Sequence, residues 1–209
     1  MNSKEILKQV ADEVSICTKC ILHYSRKIAV PGEGPANAKI MFIGEGPGFH
    51  ENEQGRPFVG AAGKFLEELL GKIDMKRTDV FITNVVKCRP PSNRDPLPEE
   101  LDACSEYLER QIQAINPKVI VTLGRYSMAR FLPNAKISEV HGQAMHIRGR
   151  LIVAMYHPAA ALHQGSLKPV LERDFALLPE LIAKSVETPT ITEETSPPEK
   201  SEPKQLSLF

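Results

Sequence analysis

Four cysteines are the side chains of this sequence with the clearest capacity for chemistry. Cys17 and Cys20 form a C-x2-C pair in "CTKC", Cys88 lies in "KCRPP" and Cys104 lies in "DACSEY". The chain opens without a signal-peptide pattern, so we expect a cytoplasmic protein, in which a disulfide framework is disfavoured. Four thiols that include a C-x2-C pair are typical of a metal site. Sulfur ligands suit zinc or an iron–sulfur cluster, and four unrelated buried cysteines are the ordinary alternative.

Three further residues have side chains suited to a planar heterocycle. Asn84 offers an acceptor and a donor side by side, the complement of a pyrimidine edge with adjacent N–H and carbonyl groups. Phe58, in "GRPFVGAAG", can stack on such a ring for about 1–3 kcal/mol. His157 can donate a hydrogen bond to charge that develops on a leaving group. Each also has an ordinary interpretation, as a turn former, a core residue and a strand-end histidine respectively.

The glycine-rich stretch "GEGPGFHE" raises the question of a phosphate-binding loop. A dinucleotide fingerprint requires G-x-G-x-x-G and free backbone N–H groups. Here the spacing is G-x-G-x-G, Pro47 removes one donor, and Glu45 and Glu51 place carboxylates where an anion would bind. The stretch therefore favours a loop whose glycines let a flat ligand approach the backbone.

Short apolar runs that are typical of buried strands precede these polar residues. They are rich in β-branched residues and span 38–44, 80–86, 118–124 and 151–157. Patterns of helical period occur at 61–73, 97–115 and about 167–185. The alternation predicts an α/β fold with three αβα layers around a central, mainly parallel four-stranded sheet. Because parallel strands end at one edge, Glu45, Asn84 and His157 are expected to meet in one pocket.

Charge and composition restrict the partners only weakly. Lys and Arg number 26, as do Asp and Glu, so the net charge is zero. Residues 186–209 hold five Glu and two Lys, a net charge of −3, which leaves +3 for residues 1–185. That excess permits a nucleic-acid partner without requiring one. No apolar run approaches the roughly 20 residues of a membrane-spanning helix, so no membrane association is expected.

Several motifs together resemble one enzyme family. "GEGPGFHE", "GRPFVGAAG", "FITNVVKCRPPSNR" and "YHPAA", with four cysteines in this order, are similar to the family 4 uracil-DNA glycosylases, the iron–sulfur type of thermophiles and many bacteria. The resemblance covers about residues 5–183. It implies a monofunctional repair enzyme that flips uracil out of double- or single-stranded DNA, hydrolyses its N-glycosidic bond and leaves an abasic site.

The resemblance also implies roles for individual residues. Cys17, Cys20, Cys88 and Cys104 would hold a structural [4Fe–4S] cluster. Phe58 would stack on the extrahelical uracil, Asn84 would read its pyrimidine edge, and His157 would stabilise the negative charge on uracil O2. The residues implied for the rest of the site are Glu45, Gly46, Gly48, Glu51, Asn93, Leu162 and Lys168.

Their implied roles differ in kind. Gly46 stands where the wider superfamily carries an aspartate, which leaves Glu45 as the nearest candidate to activate water. Gly48 belongs to the uracil-binding wall, Glu51 lies near the C5 face of the base, where it could help to exclude thymine, and Asn93 lies near the reacting centre. In the segment 158–168, which matches the superfamily's intercalation loop, Leu162 would wedge into the duplex and Lys168 would contact phosphate.

The end of the chain predicts a tether and a docking peptide. Residues 186–204 are rich in Pro, Thr, Glu and Ser and are expected to be a disordered linker after a catalytic domain at 1–185. The closing "QLSLF" resembles the peptides by which bacterial polymerases and repair proteins bind the sliding clamp. Its clamp-binding residues would be Gln205, Leu206, Leu208 and Phe209.

Two rival functions remain open at this level. One is a superfamily glycosylase that acts on hypoxanthine or another deaminated base, since pocket shape sets the base. The other is a non-catalytic iron–sulfur or zinc module that binds nucleic acid. We expect a monomer, located in the cytoplasm with the nucleoid.

Overall fold

The computed structural model describes residues 1–187. The predicted peptide 205–209 and all but the first two residues of the predicted linker lie outside the described residues. The strands are β1 (Ile40–Gly44), β2 (Phe81–Asn84), β3 (Val119–Leu123), β4 (Ala144–Ile147) and β5 (Arg150–Met155). The helices are α1 (Ser3–Ile16), α2 (Phe49–Gln54), α3 (Ala61–Gly71), α4 (Pro98–Ile115), α5 (Arg125–Ala129), α6 (Ile137–Val140), α7 (Pro158–His163), α8 (Lys168–Ala176) and α9 (Leu178–Glu187).

The strands form one sheet in the order β2-β1-β3-β5-β4. Neighbours among β2, β1, β3 and β5 pair in parallel, which confirms the predicted mainly parallel sheet. Every residue of β1, β2 and β3 is buried, because an apolar cluster covers each face. Val121 packs in one cluster with α3 and α8, and its neighbour Ile120 packs in the other with α4. This alternation produces the three predicted αβα layers.

A fifth strand corrects the predicted four-stranded sheet. β4 pairs antiparallel with β5 at the edge of the sheet. The connecting residues Arg148 and Gly149 have φ of 49° and 74°, as a two-residue hairpin turn requires. The side chains of β4 are only partly buried. The segment "AMHI" therefore lacks the continuous apolar run by which the other strands are recognised.

The predicted helices are found, with one division. α3 and α4 lie within two residues of the predicted bounds 61–73 and 97–115. The predicted helix at about 167–185 is instead two helices, α8 and α9, which meet at Leu177. Pro179 explains the break, because proline has no N–H to donate to the carbonyl of Phe175 four residues earlier.

The parallel strands bring their carboxyl ends to one edge of the sheet. Gly44 pairs with Asn84, and Leu123 pairs with Met155. The loops after these four strands therefore start side by side, as predicted. None of the helices described in residues 1–187 is long and apolar enough to cross a membrane.

Candidate active site

A cavity of about 480 Å³ lies at the carboxyl edge of the sheet. Its walls come from the loops after β1 and β2, from the start of α3 and from α7. It is lined by Glu45, Gly46, Pro47, Gly48, Glu51, Phe58, Ala62, Asn84, Pro90, Asn93, Arg94, Asp95, His157, Ala159 and His163. All eight residues that the sequence assigns to catalysis or base binding are in this lining.

Asn84 forms the floor of the cavity. It is the last residue of β2 and is 1% exposed, so the sheet holds its amide in place. Its Oδ1 is buried and has no hydrogen-bond partner in the described structure. An unsatisfied buried acceptor costs about 1–3 kcal/mol, which a donor from a bound ligand would recover. The arrangement therefore favours a ligand with an N–H group at this point.

Phe58 closes one side of the cavity and is held in an unusual backbone conformation. Its φ is 52°, in the left-handed region, and its side chain is 5% exposed. Arg77 supports this conformation, since Nη1 donates to the Phe58 carbonyl at 2.8 Å and Nη2 to the Pro57 carbonyl. Glu33 accepts from Nε of Arg77 at 3.0 Å, and its ion pairs with Arg56 and Arg77 lower its pKa to about 2. The ring position is thus determined by a polar network on its outer side.

His157 lies next to Phe58 in the wall of the cavity. The two rings stack with centroids 5.4 Å apart and planes at 25°. Burial lowers the pKa of His157 to about 4, so its ring is neutral at physiological pH. The backbone N–H of Ala159 donates to Nδ1 at 3.1 Å, which leaves the proton on Nε2. His157 is therefore a neutral hydrogen-bond donor.

Glu45 is the carboxylate that the loop after β1 contributes to the cavity. Its pKa is raised, chiefly by burial and next by the negative charge of Asp95, whereas Arg125 opposes the shift. Arg125 forms an ion pair with Asp95. A carboxylate with a raised pKa accepts a proton more readily than a free one, which suits a general base.

Glu51 joins two loops. Its Oε1 accepts from the N–H groups of Val59 at 2.8 Å and Gly60 at 2.9 Å, and its Oε2 accepts from Gly48 at 3.1 Å. The carboxylate thereby fixes the first glycine-rich loop to the loop that carries Phe58. Glu51 also lines the cavity, which is compatible with the predicted exclusion of thymine. That role stays a prediction.

The glycines of the first loop serve the packing of the protein itself. A Cβ on Gly44 would lie 2.5 Å from Oδ1 of Asn84 and 2.6 Å from the Phe58 ring. A Cβ on Gly46 would lie 2.8 Å from Val86, and one on Gly48 would lie 2.8 Å from Glu51. The glycines thus let neighbouring side chains pack closely against this segment. The expectation that they also let a flat ligand approach the backbone stays a prediction, and Gly46 and Gly48 do line the cavity.

Other predicted residues lie at or beyond the rim. Asn93 lines the cavity with φ of 55°, and its Oδ1 accepts from Nε of Arg89 at 2.7 Å. Leu162 is 52% exposed on α7. Lys168 starts α8, with its ammonium 5.4 Å from the centre of the Phe65 ring. The predicted intercalation loop is thus largely helix, because α7 occupies 158–163.

Sequence reasoning missed several residues of the site. Arg94 and Asp95 line the cavity directly after Asn93, and Arg77 supports Phe58 from a distant segment. The adjacency of a charged pair to "PPSN" was the available signal for Arg94 and Asp95. No comparable signal marks Arg77, because its partners are about 20 and 44 residues away.

The four cysteines line a second, largely apolar cavity. Cys17 follows α1, Cys20 precedes a short turn, Cys88 follows β2 and Cys104 lies in α4. Burial raises the pKa of Cys20 and Cys88, and raises that of Cys104 to about 11. Arg26 donates to the sulfur of Cys88 at 3.6 Å. Thiols must lose their protons to bind a metal, so a bound cation would oppose this effect of burial.

Lys87 connects the two cavities. It is fully buried between Asn84 and Cys88 along the chain. Its ammonium donates to Oγ1 of Thr83 at 2.6 Å, to the Asn84 carbonyl at 2.9 Å and to Oε1 of Gln111 at 2.7 Å. The end of β2 is therefore braced from the side of the thiol cavity.

Comparison with known proteins places these features in a family. Residues 31–177 match the family model of the uracil DNA glycosylase superfamily. A type-4 uracil-DNA glycosylase of Archaeoglobus fulgidus is 46% identical over 194 residues, which cover 88% of this chain and 97% of the relative. One of Saccharolobus solfataricus is 50% identical over 187 residues, 85% of this chain and 87% of the relative. One of Thermotoga maritima is 45% identical over 166 residues, 78% of this chain and 86% of the relative. The chain therefore belongs to the uracil DNA glycosylase superfamily and, within it, to the family 4 enzymes that its motifs resemble.

Proposed function

We propose that this enzyme excises uracil from DNA by hydrolysis of the N-glycosidic bond. The observation that carries the proposal is the buried Oδ1 of Asn84, which has no protein donor and lies beside a stacking ring and a neutral histidine donor. Uracil presents N3–H next to the O4 carbonyl, so N3–H can donate to Oδ1 and O4 can accept from the Asn84 amide N–H. Cytosine presents the opposite pattern and would leave both groups unsatisfied.

The bond-breaking step follows from the charges in the cavity. When the bond between C1′ and N1 breaks, its electron pair goes to uracil, and charge accumulates on O2 and O4. Nε2–H of His157 donates to O2, and this donation stabilises the anion without a prior proton transfer. Water adds to C1′, and Glu45, which lines the cavity, would take its proton. No lysine is among the described residues that line the cavity, so hydrolysis without strand cleavage is the expected outcome.

The thiol cavity fits an iron–sulfur cluster. Its four sulfur donors come from three segments of the chain and line one largely apolar cavity. Sulfur donors of this kind suit zinc or an iron–sulfur cluster, and the resemblance to the family 4 enzymes favours the cluster. We therefore assign Cys17, Cys20, Cys88 and Cys104 as ligands of a [4Fe–4S] cluster, which would join α1, β2 and α4.

The DNA surface surrounds the mouth of the cavity. Leu162 is exposed on the same helix as two lining residues, which supports its role as the wedge in the base stack. Lys168 is the first residue of α8, which follows α7 in the chain, and it would contact phosphate. Beyond the described residues, the peptide 205–209 would bind a sliding clamp. Deleting it should abolish clamp binding and leave turnover on short oligonucleotides unchanged.

An alkali-cleavage assay tests the activity. A labelled oligonucleotide with one uracil is incubated with the enzyme and then treated with alkali, and hypoxanthine is tested in parallel. Cleavage only after alkali, with U:G, U:A or single-stranded substrate, is the expected result. If the strand stays intact with all three uracil substrates, the proposal is refuted. Cleavage of the hypoxanthine substrate alone would show that the enzyme excises a different base.

Two variants and one spectrum complete the test. Asn84→Ala and His157→Ala should each lower the rate greatly without loss of the chromophore. Unchanged rates would show that the cavity is not the active site. Absorbance near ~400 nm is expected from the cluster, and a colourless protein that contains zinc would refute that assignment.

A further inference from the structure

Phe49 is an exposed aromatic side chain at the mouth of the cavity. It is the first residue of α2 and directly follows Gly48, which lines the cavity. Its side chain is 54% exposed, although burial of a phenylalanine is worth roughly 1.5–3 kcal/mol. Single exposed apolar side chains are common, so the position of this ring beside the cavity is what points to a molecule that covers it.

Two groups orient the Phe49 ring and give it a positive neighbour. The His50 ring contacts it edge-on, with centroids 5.4 Å apart and planes at 82°. The guanidinium of Arg89 lies 5.4 Å from the Phe49 centroid. Arg89 is itself held by Asn93 in the cavity lining. A ring beside an anchored guanidinium matches a nucleotide, since the ring stacks on the base and the cation attracts the phosphate.

Leu162 provides the comparison on another part of the rim. It is 52% exposed and adjoins His163, which also lines the cavity. Phe49 and Leu162 are thus large apolar side chains that each adjoin a lining residue, on α2 and on α7 respectively. When a nucleotide flips out of DNA, it leaves a gap in the base stack, and each neighbouring base has one face that is no longer stacked.

We propose that Phe49 stacks on the base next to the flipped nucleotide in the substrate strand, with Arg89 close to its phosphate. This inference rests on the proposed function only in taking DNA as the substrate. It adds a second base contact outside the cavity. Because any base has a π-face, the contact strengthens binding without adding sequence preference.

DNA affinity tests the contact directly. Binding is measured by fluorescence anisotropy with duplex and single-stranded oligonucleotides that carry a stable tetrahydrofuran abasic analogue. Phe49→Ala and Phe49→Leu should weaken binding about 5- to 150-fold, which corresponds to the ~1–3 kcal/mol of one stacked base. Phe49→Trp should retain the affinity. Leu177→Ala is the matched control, since Leu177 is 45% exposed but adjoins no residue of the cavity lining, and it should bind like the wild type.

Two further readouts separate stacking from damage to the cavity. Inhibition by free uracil should be unchanged in every Phe49 variant, because the cavity itself is intact. 2-Aminopurine placed 5′ or 3′ of the abasic analogue should be quenched on one side by the wild type and not by Phe49→Ala. Wild-type affinity in Phe49→Ala or Phe49→Leu, or loss of uracil inhibition in step with DNA affinity, would overturn the proposal. Failure of the wild type to release uracil would overturn only the proposed function.

Discussion

Gly63→Ala should damage the active site although alanine is the better helix former. Gly63 is the third residue of α3, and alanine in place of glycine stabilises a helix by about 1 kcal/mol. The added Cβ, however, would lie 2.9 Å from Cα of Phe58 and still closer to its carbonyl group. Ordinary contacts of Cβ are about 3.4–4 Å, so the loop that carries Phe58 has to move away from α3.

The cost of that movement follows from what holds the Phe58 carbonyl. The carbonyl accepts the hydrogen bond from Arg77, and a bond to a charged donor is worth about 1.5–3 kcal/mol. Set against the helix gain of about 1 kcal/mol, the expected net destabilisation is about 0.5–2 kcal/mol, or roughly 1–8 °C in Tm for a chain of this size. A shift of about 1 Å in a positioning group costs about 100-fold in rate, so catalysis should fall more than stability.

Thermal unfolding and single-turnover excision of uracil from a U:G duplex measure the two effects. Gly71→Ala is the matched control, because it is also in α3 and its Cβ would meet nothing within 4 Å. The control should be as stable as the wild type or slightly more, with an unchanged rate. If Gly63→Ala behaves like Gly71→Ala in both assays, the inference that the Phe58 loop is held rigidly against α3 is wrong.

Three other predictions concern charged and titrating groups. Arg77→Met should lower kcat at least about tenfold, because the left-handed loop of Phe58 loses its support. Arg77→Lys should recover part of the rate. In a Phe58→Ala background, Arg77→Met should have little further effect. Arg94→Met should lower the urea midpoint of unfolding, because the fully buried carboxylate of Glu100 loses its ion pair. Adding Glu100→Gln should restore part of the lost stability. An unchanged midpoint in Arg94→Met would contradict this prediction. His157 has a folded pKa of about 4 against 6.5 when unfolded, so its contribution of about 3 kcal/mol is present above pH 6.5 and is lost as the pH falls towards 4. Histidine ¹⁵N NMR should find the Nε2–H tautomer down to pH 5, and titration of His157 near 6.5 would contradict the assignment.

Much of the site was predictable because parallel strands have a simple geometry. Residues that follow buried parallel strands must meet at one edge, so Glu45, Asn84 and His157 were brought together by periodicity alone. The thiol set was similarly visible from spacing. The roles of single residues, by contrast, came from the family resemblance and not from the pattern of apolar residues.

The parts that were missed depend on contacts between distant segments. β4 was missed because a half-buried edge strand has too few apolar residues to stand out. The division between α8 and α9 was missed because proline is tolerated at the start of a helix as well as at its end. The support of Phe58 by Arg77 and of Asn84 by Lys87 could not be read from types and spacing, since arginine and lysine are ordinarily exposed.

By itself the sequence determined the layer architecture, the meeting of Glu45, Asn84 and His157 at one edge of the sheet, and the grouping of four cysteines as a candidate metal site. These follow from apolar periodicity and from the presence of particular functional groups, which are local properties. Only the tertiary structure decided how those groups act. The left-handed backbone of Phe58, the neutral Nε2–H form of His157 and the unsatisfied oxygen of Asn84 each depend on atoms brought near by folding. Hydrogen-bond geometry and desolvation are set by the neighbours in space, and chain order does not specify them.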